Sequence, residues 1–220
     1  MNTNATFFEN HYYHVYNRTN NKETLFKRPG NQSYFLNKYQ KYISPFVYTH
    51  AYSLLGNHYH FSIQVKSMKE IFEYISKLKP GERTVLMNSY LENFNDEILN
   101  LLIINQFQNF QISYVKSLNN QIQRIGSLFQ KKFKRSLFDP EIKFKYLQYY
   151  IHHNARKHGL VKDFRDHEYQ SYHQIMKGSG ELINIEEILS QFGNLNEFEK
   201  FHNSIHLEER FKDIDIEYII

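Results

Sequence analysis

Residues 58–65 read His-Tyr-His-Phe-Ser-Ile-Gln-Val. Side chains alternate between two faces along a strand, so His58, His60, Ser62 and Gln64 share one face and Tyr59, Phe61, Ile63 and Val65 the other. The segment must therefore sit in a sheet whose apolar face packs on a core. The polar face then carries two imidazoles one pleat apart. Two neutral imidazoles at that spacing can share a divalent ion, and a strand holds them rigidly. Hydrogen-bonded surface histidines account for most lone His-x-His pairs, so the metal reading requires a third ligand.

The neighbouring segments supply the rest of the sheet. His11–Arg18 is aromatic and β-branched and reads as a strand. Phe46–Leu55 reads as another, joined to His58–Val65 by a Gly56–Asn57 turn. Between them, Tyr34, Phe35, Leu36, Tyr39 and Tyr42 give Ser33–Ile43 a helical period. Met68–Leu78 is a helix closed by Pro80–Gly81. Residues 84–125 are largely helical with a break near Asn93–Asp96, and Gly126 ends them. Ser127–Phe138 reads as a basic strand. Asp139–Pro140 opens a helix to about Lys157, with Gly159 as its stop. Glu186–Phe192 and Phe198–His202 are short amphipathic helices. This order fits an α+β fold of the split βαβ type, with helices on one face of an antiparallel sheet, the other face open to ligand, and a helical C-terminal tail.

Of the 220 residues, 41% are hydrophobic and 23% charged, enough apolar side chain for a packed core. The chain has no cysteine, which excludes disulfides, thiolate–zinc sites and a cysteine nucleophile. No apolar run is long enough to span a bilayer, and MNTNATFFENH lacks the basic-then-apolar pattern of a signal peptide, so a cytoplasmic protein without a membrane partner is expected. The net charge of +4 conceals an asymmetry. Residues 181–220 hold ten acids and three bases, whereas residues 131–165 hold ten bases and three acids. The sign changes at Gly178–Ser179–Gly180, which divides the chain into a domain over 1–177 and an acidic tail over 181–220. A basic block with interleaved aromatics suits a polyphosphate backbone; a solvated basic face is the plainer account.

Within residues 139–157, Phe144, Leu147, Ile151 and Ala155 form one stripe at about 100° per residue. Tyr150 and Asn154 lie one turn apart at its border, near any sheet the helix covers. Tyr149 and His153 form a second pair, expected to face solvent. A divalent ion held by His58, His60 and the amide oxygen of Asn154 could polarise a phosphate that Tyr150 attacks. A tyrosine that merely packs at a helix–core border fits the helix alone equally well.

Taken in order, Tyr13–His14–Val15, Asn57–His58–Tyr59–His60, Gly126–Ser127–Leu128–Phe129–Gln130 with Lys131–Lys132–Phe133–Lys134, Tyr150–Ile151–His152–His153–Asn154 and Lys157–His158–Gly159–Leu160–Val161 resemble the single-tyrosine HUH transposases, and most closely their REP-associated branch. The resemblance spans roughly residues 11–172. It implies a ferredoxin-like sheet, His58 and His60 as metal ligands, Tyr150 as nucleophile and Asn154 as third ligand. It further implies Mg²⁺ or Mn²⁺ as cofactor, single-stranded DNA with a hairpin as substrate, and a homodimer in which Tyr150 can serve the partner's site. Lys131, Lys132, Lys134, Arg135, Arg156 and Lys157 are the expected DNA-binding cations. Gly56 and Ala155 stand where many relatives have proline, and residues 82–104 extend beyond the shorter members. Two other readings fit parts of the sequence. One is a non-catalytic module that binds single-stranded nucleic acid. The other is a two-histidine phosphoesterase using His60–Phe61–Ser62 and His202–Asn203–Ser204.

Overall fold

The computed structural model describes residues 3–204; the last part of the acidic tail lies outside them. Four strands, β1 (Tyr12–Arg18), β2 (Val47–Leu54), β3 (His58–Val65) and β4 (Lys134–Phe138), form one antiparallel sheet in the order β2-β3-β1-β4. The helices are α1 (Asn31–Tyr42), α2 (Met68–Lys77), α3 (Val85–Glu92), α4 (Asp96–Ile122), α5 (Pro140–Lys157), α6 (Tyr172–Met176), α7 (Ile185–Phe192) and α8 (Leu195–His202).

Local chemistry sets several of these boundaries. A reciprocal Ser67–Glu70 capping box starts α2. Asn95 caps α4, and Asp96 and Glu97 in its first turn complement the helix dipole. Asp139 caps α5, Pro140 occupies its first position, and Arg156 and Lys157 close its last turn. The chain leaves α5 through Gly159 at φ +68°, a conformation that favours glycine. The break expected near Asn93–Asp96 is the junction of α3 and α4.

The sheet's two faces carry different chemistry, as the alternation in 58–65 requires. Tyr13, Val15, Tyr59, Phe61 and Ile63 are fully buried in the core beneath α1 and α4. Tyr39 stacks on Phe61 at 4.0 Å, and Phe35 bridges Tyr59 at 5.3 Å and Phe110 at 4.7 Å. On the opposite face, Tyr12, His14, His60 and Ser62 meet α5. Gln148 Nε2 donates to Ser62 Oγ at 3.2 Å, and Phe144 packs edge-on to Tyr12 at 6.0 Å. The face expected to be open is thus covered along much of its length by α5, and the helices lie on both sides of the sheet.

Two further expectations are corrected. The basic strand is confined to Lys134–Phe138. Gly126 at φ +94° turns the chain, and residues 126–133 follow β1 through single contacts, such as Gln130 N–H to Arg18 carbonyl at 2.9 Å, rather than a ladder. Tyr149 and His153 do not face solvent; both are buried. His153 is sandwiched between Tyr149 and Phe164 rings, each at 3.9 Å, and its Nε2 donates to the His202 carbonyl at 3.0 Å. The cover comes from Phe164, before α6, and from Phe201 and His202 of α8. Ile183, Ile188, Phe192 and Phe198 of the acidic stretch belong to the same buried cluster as the sheet. Phe198, with no exposed surface, touches His152, Tyr172, Phe192 and His202. Phe198→Ala is therefore expected to cost about 3–5 kcal/mol of stability in urea titrations, as for other large-to-small core changes. An unchanged midpoint would mean that this segment folds independently.

Among the described residues no helix is long and apolar enough to cross a membrane.

Candidate functional site

The register of β1 against β3 sets Tyr16 opposite His60 and His14 opposite Ser62. With side chains alternating, His14, Tyr16 and His60 project from the same face as His58. His14 Nε2 and His60 Nδ1 share a hydrogen bond of 2.9 Å, and their rings stack at 5.1 Å. Tyr16 stacks on both, at 4.7 Å from His14 and 5.5 Å from His60. At the end of the strand, His58 Nδ1–H donates to Asn57 Oδ1 at 2.7 Å. An amide oxygen only accepts, so this bond places the proton on Nδ1 and leaves Nε2 with its lone pair.

From above, α5 brings Tyr150 and Asn154 to this face. The Tyr150 ring stands edge-on to His60 at 5.6 Å and to His14 at 5.9 Å, within its own chain. Asn154, with no exposed surface, places Oδ1 3.4 Å from His58 Nε2. His158 closes on His58 at 4.9 Å between ring centres. The i,i+4 relation of Tyr150 and Asn154 thus delivers a phenol and an amide to the pair of imidazoles, as the helix-border argument expected.

Burial sets the electrostatics. It pushes His14 down to about 3. Burial, followed by the charge of His158, pushes His58 down to about 4. It holds His60 well below the usual imidazole range, with His14 and His58 adding to the shift. All three rings are neutral at pH 7. When His60 Nδ1–H donates to His14 Nε2, the lone pair of His14 is used and that of His60 stays on Nε2, beside the lone pair of His58 Nε2.

The donor set fits a divalent cation. With its Nδ1 engaged by His14, His60 Nε2 is buried with no hydrogen-bond partner. His58 Nε2 and Asn154 Oδ1 face one another with lone pairs, an arrangement that a cation satisfies and water-free packing does not. No group of three His, Asp or Glu side chains among the described residues is arranged for a metal, so a cation at His58 and His60 would need the amide of Asn154 as its third protein donor.

The cations expected to meet DNA divide into groups. Lys134 Nζ lies 5.5 Å over the Tyr16 ring and Lys157 Nζ 5.6 Å over the Tyr150 ring, so both flank the histidines. Arg156, Lys131 and Lys132 are exposed. Arg135 points to the other face. Its guanidinium is wedged 5.4 Å from both Phe7 and Phe133, and its Nε donates to the Ala5 carbonyl at 2.7 Å. It packs with the core instead of joining the other cations. His202 likewise does not reach His60. It is buried on the outer side of α5, bonded to His152 Nδ1 at 2.9 Å and to the Phe198 carbonyl at 2.8 Å. The two halves of a two-histidine phosphoesterase site therefore do not converge.

Sequence reasoning placed His14, Asn57 and His158 in the motifs that carry the resemblance but gave them no role at the site, and it did not single out Tyr16. Period two in Tyr12–Arg18 already grouped His14 with Tyr16, but their match to His60 depends on strand register.

No family model matches the chain, and no curated protein matches it. Among solved structures, the chain is similar in fold to one described as the REP-associated tyrosine transposase bound to a REP hairpin, with TM-score 0.52 and 11% identity over 82% of this chain and 87% of that one. At that identity the likeness is one of fold, a distant structural relationship to those transposases.

Proposed function

We propose that this protein is a divalent-metal-dependent tyrosine nuclease and transposase that cuts and rejoins single-stranded, hairpin-containing DNA. The observation that carries this reading is the meeting of one phenol, two neutral imidazoles and a buried amide, from β3 and α5, beside a His60 Nε2 that has no hydrogen-bond partner. The fold shared with a hairpin-bound transposase supports it.

In the proposed reaction Tyr150 supplies the nucleophilic oxygen. Its phenolic oxygen gives up its proton as it bonds to the scissile phosphorus, the bond from phosphorus to the 3′ oxygen breaks, and that oxygen takes up one proton to leave as a 3′-hydroxyl, so the exchange is neutral in protons overall. The product is a 5′-phosphotyrosine, which conserves the energy of the phosphodiester for attack by a later 3′-hydroxyl. His58, His60 and Asn154 would hold Mg²⁺ or Mn²⁺, which supplies charge neutralisation at the scissile phosphate. Two nitrogen donors and one amide oxygen suit Mn²⁺ better than the oxygen-seeking Mg²⁺. Asn57 orients His58, and His14 fixes the ring of His60. Lys134 and Lys157 stand where flanking phosphates would lie. The Tyr150 ring already meets the imidazoles of its own chain, so the site does not call for a partner's tyrosine. A homodimer is carried by the family resemblance alone.

The test is incubation with hairpin DNA carrying single-stranded flanks plus Mn²⁺, followed by a denaturing gel; no cleavage and no protein–DNA adduct would refute the reading. His60→Ala should abolish cleavage and weaken Mn²⁺ binding measured by calorimetry, with Asn57→Ala lowering affinity about 10–100-fold as expected for loss of a ligand-orienting partner. Unchanged Mn²⁺ affinity in His60→Ala would remove the histidines from the metal site.

A further inference from the structure

The C-terminal half of α4 and the loop 124–131 enclose a groove of about 950 Å³. Its wall on α4 is a helical stripe, Gln108, Ile112, Lys116 and Asn120, whose members recur every fourth residue and are all exposed. Opposite stand Ile125, Gln130 and Lys131. No acid lines the groove. From residue 98 to residue 138 the sequence holds six bases and not one Asp or Glu. Arg124 at the groove's end is held by Glu23 at 2.7 Å, which leaves Lys116 and Lys131 as its rim cations.

The lining combines cations with exposed apolar surface. Ile112 is 63% exposed and Ile125 94% exposed, in a chain whose other large aliphatic side chains are mostly buried. A polyanion alone would not use such side chains. An unpaired nucleic-acid strand would, because its bases present apolar faces and its backbone presents phosphates, whereas a duplex hides the base faces. The amide groups of Gln108, Asn120 and Gln130 can meet base edges. The groove also connects to the candidate site. Gln130 N–H donates to the Arg18 carbonyl, and Arg18 pairs with His58 across the sheet. A strand leaving the groove over Gln130 and Lys131 would pass Lys134 and Tyr16 on its way to Tyr150.

We propose that this groove holds the unpaired nucleotides flanking the cleavage position. The inference rests on the single-stranded DNA reading above, and its test separates the two. The chain has no cysteine, so Ile125→Cys places a unique thiol in the groove and Val85→Cys, at an 82% exposed position on α3, places one outside it. Maleimide labelling is measured in the Tyr150→Phe background with chelator, so that no chemistry intervenes. An unstructured oligonucleotide should slow labelling of Ile125→Cys at least fivefold and leave Val85→Cys unchanged. Combined Lys116→Ala and Lys131→Ala should flatten the salt dependence of oligonucleotide affinity by about 1.4 in log–log slope, at about 0.7 per lost single-strand phosphate contact. Equal labelling with and without oligonucleotide overturns the proposal, as does protection of both thiols alike. Protection by a blunt duplex as strong as by single strand overturns the unpaired-strand assignment. Protection that grows with protein concentration without DNA would assign the groove to a second copy of the chain instead. Adduct formation without protection leaves the nuclease reading standing and removes the groove; protection without adduct does the reverse.

Discussion

Tyr150→Phe is expected to form no denaturant-resistant adduct with DNA while binding the same oligonucleotide within about twofold of the native chain. Removing the only attacking oxygen should lower adduct formation by about 10³ or more, because the remaining groups can position a phosphate but cannot replace the nucleophile. The phenyl ring would keep its edge-on packing against His14 and His60, so the fold has little reason to change. Label position adds a second check. Attack that expels a 3′-hydroxyl attaches the downstream fragment, so a 3′-labelled strand should travel with the protein and a 5′-labelled strand should appear as a shortened free product. Tyr149→Phe is the matched control. Tyr149 lies on the outer side of α5 between His153 and the Phe201 and His202 rings, away from the imidazole pair, and its variant should keep adduct formation within about threefold. If Tyr150→Phe still forms the adduct and Tyr149→Phe does not, the assignment of faces on α5 is wrong.

How much of this was legible before the structure follows from what periodicity can and cannot encode. The alternation in His58–Val65 specified a half-buried strand and the face its histidines take, because period two leaves no freedom once the apolar side is known. The stripe Phe144–Leu147–Ile151–Ala155 located Tyr150 and Asn154 at the helix–sheet border for the same reason. Three things were not legible. The pairing of His14 with His60 depends on which residues of β1 and β3 oppose each other, and no local pattern states that. The burial of Tyr149 and His153 required a second layer on α5. A helix with one apolar stripe reveals only its first contact, and the covering residues, Phe198, Phe201 and His202, sit some fifty positions later, in amphipathic segments whose docking surface no local pattern states. The basic segment before β4 looked continuous because Leu128, Phe129 and Phe133 are strand-formers. Instead, the turn at Gly126 and the side chain of Asn20, which donates to the Phe129 carbonyl at 3.0 Å, break the ladder.

Acid should unfold this protein at a pH where most carboxylates are still ionised. His50 is fully buried on β2, packed 5.6 Å from Tyr12 and 5.2 Å from Phe144, with neither ring nitrogen hydrogen-bonded. Burial pushes it down to about 3. His202, buried against α5, is pushed down to about 4 by the same cause, which its bond to the Phe198 carbonyl only partly offsets. Burial also lowers His152 and takes His153 to about 3. In each case the unfolded chain binds a proton that the folded chain refuses. The stability they support is therefore fully present above the ordinary imidazole range near 6.5 and is lost as the pH falls below it, by up to ~1.4 kcal/mol per pH unit for each ring. At pH 5.5 the four rings together would withdraw up to about 5 kcal/mol, a large part of the 5–15 kcal/mol typical of a domain. Urea midpoints should hold steady from pH 8 to 7 and then drop steeply through pH 5.5. His50→Leu isolates one share. A leucine keeps the apolar contacts with Tyr12 and Phe144 and has no site to protonate, so the variant should lose about 1 kcal/mol less than the native chain between pH 7.5 and 5.5. A midpoint that does not move over that interval would mean that these imidazoles are reached by solvent, and that the layer formed by α5, α7 and α8 opens without unfolding the sheet.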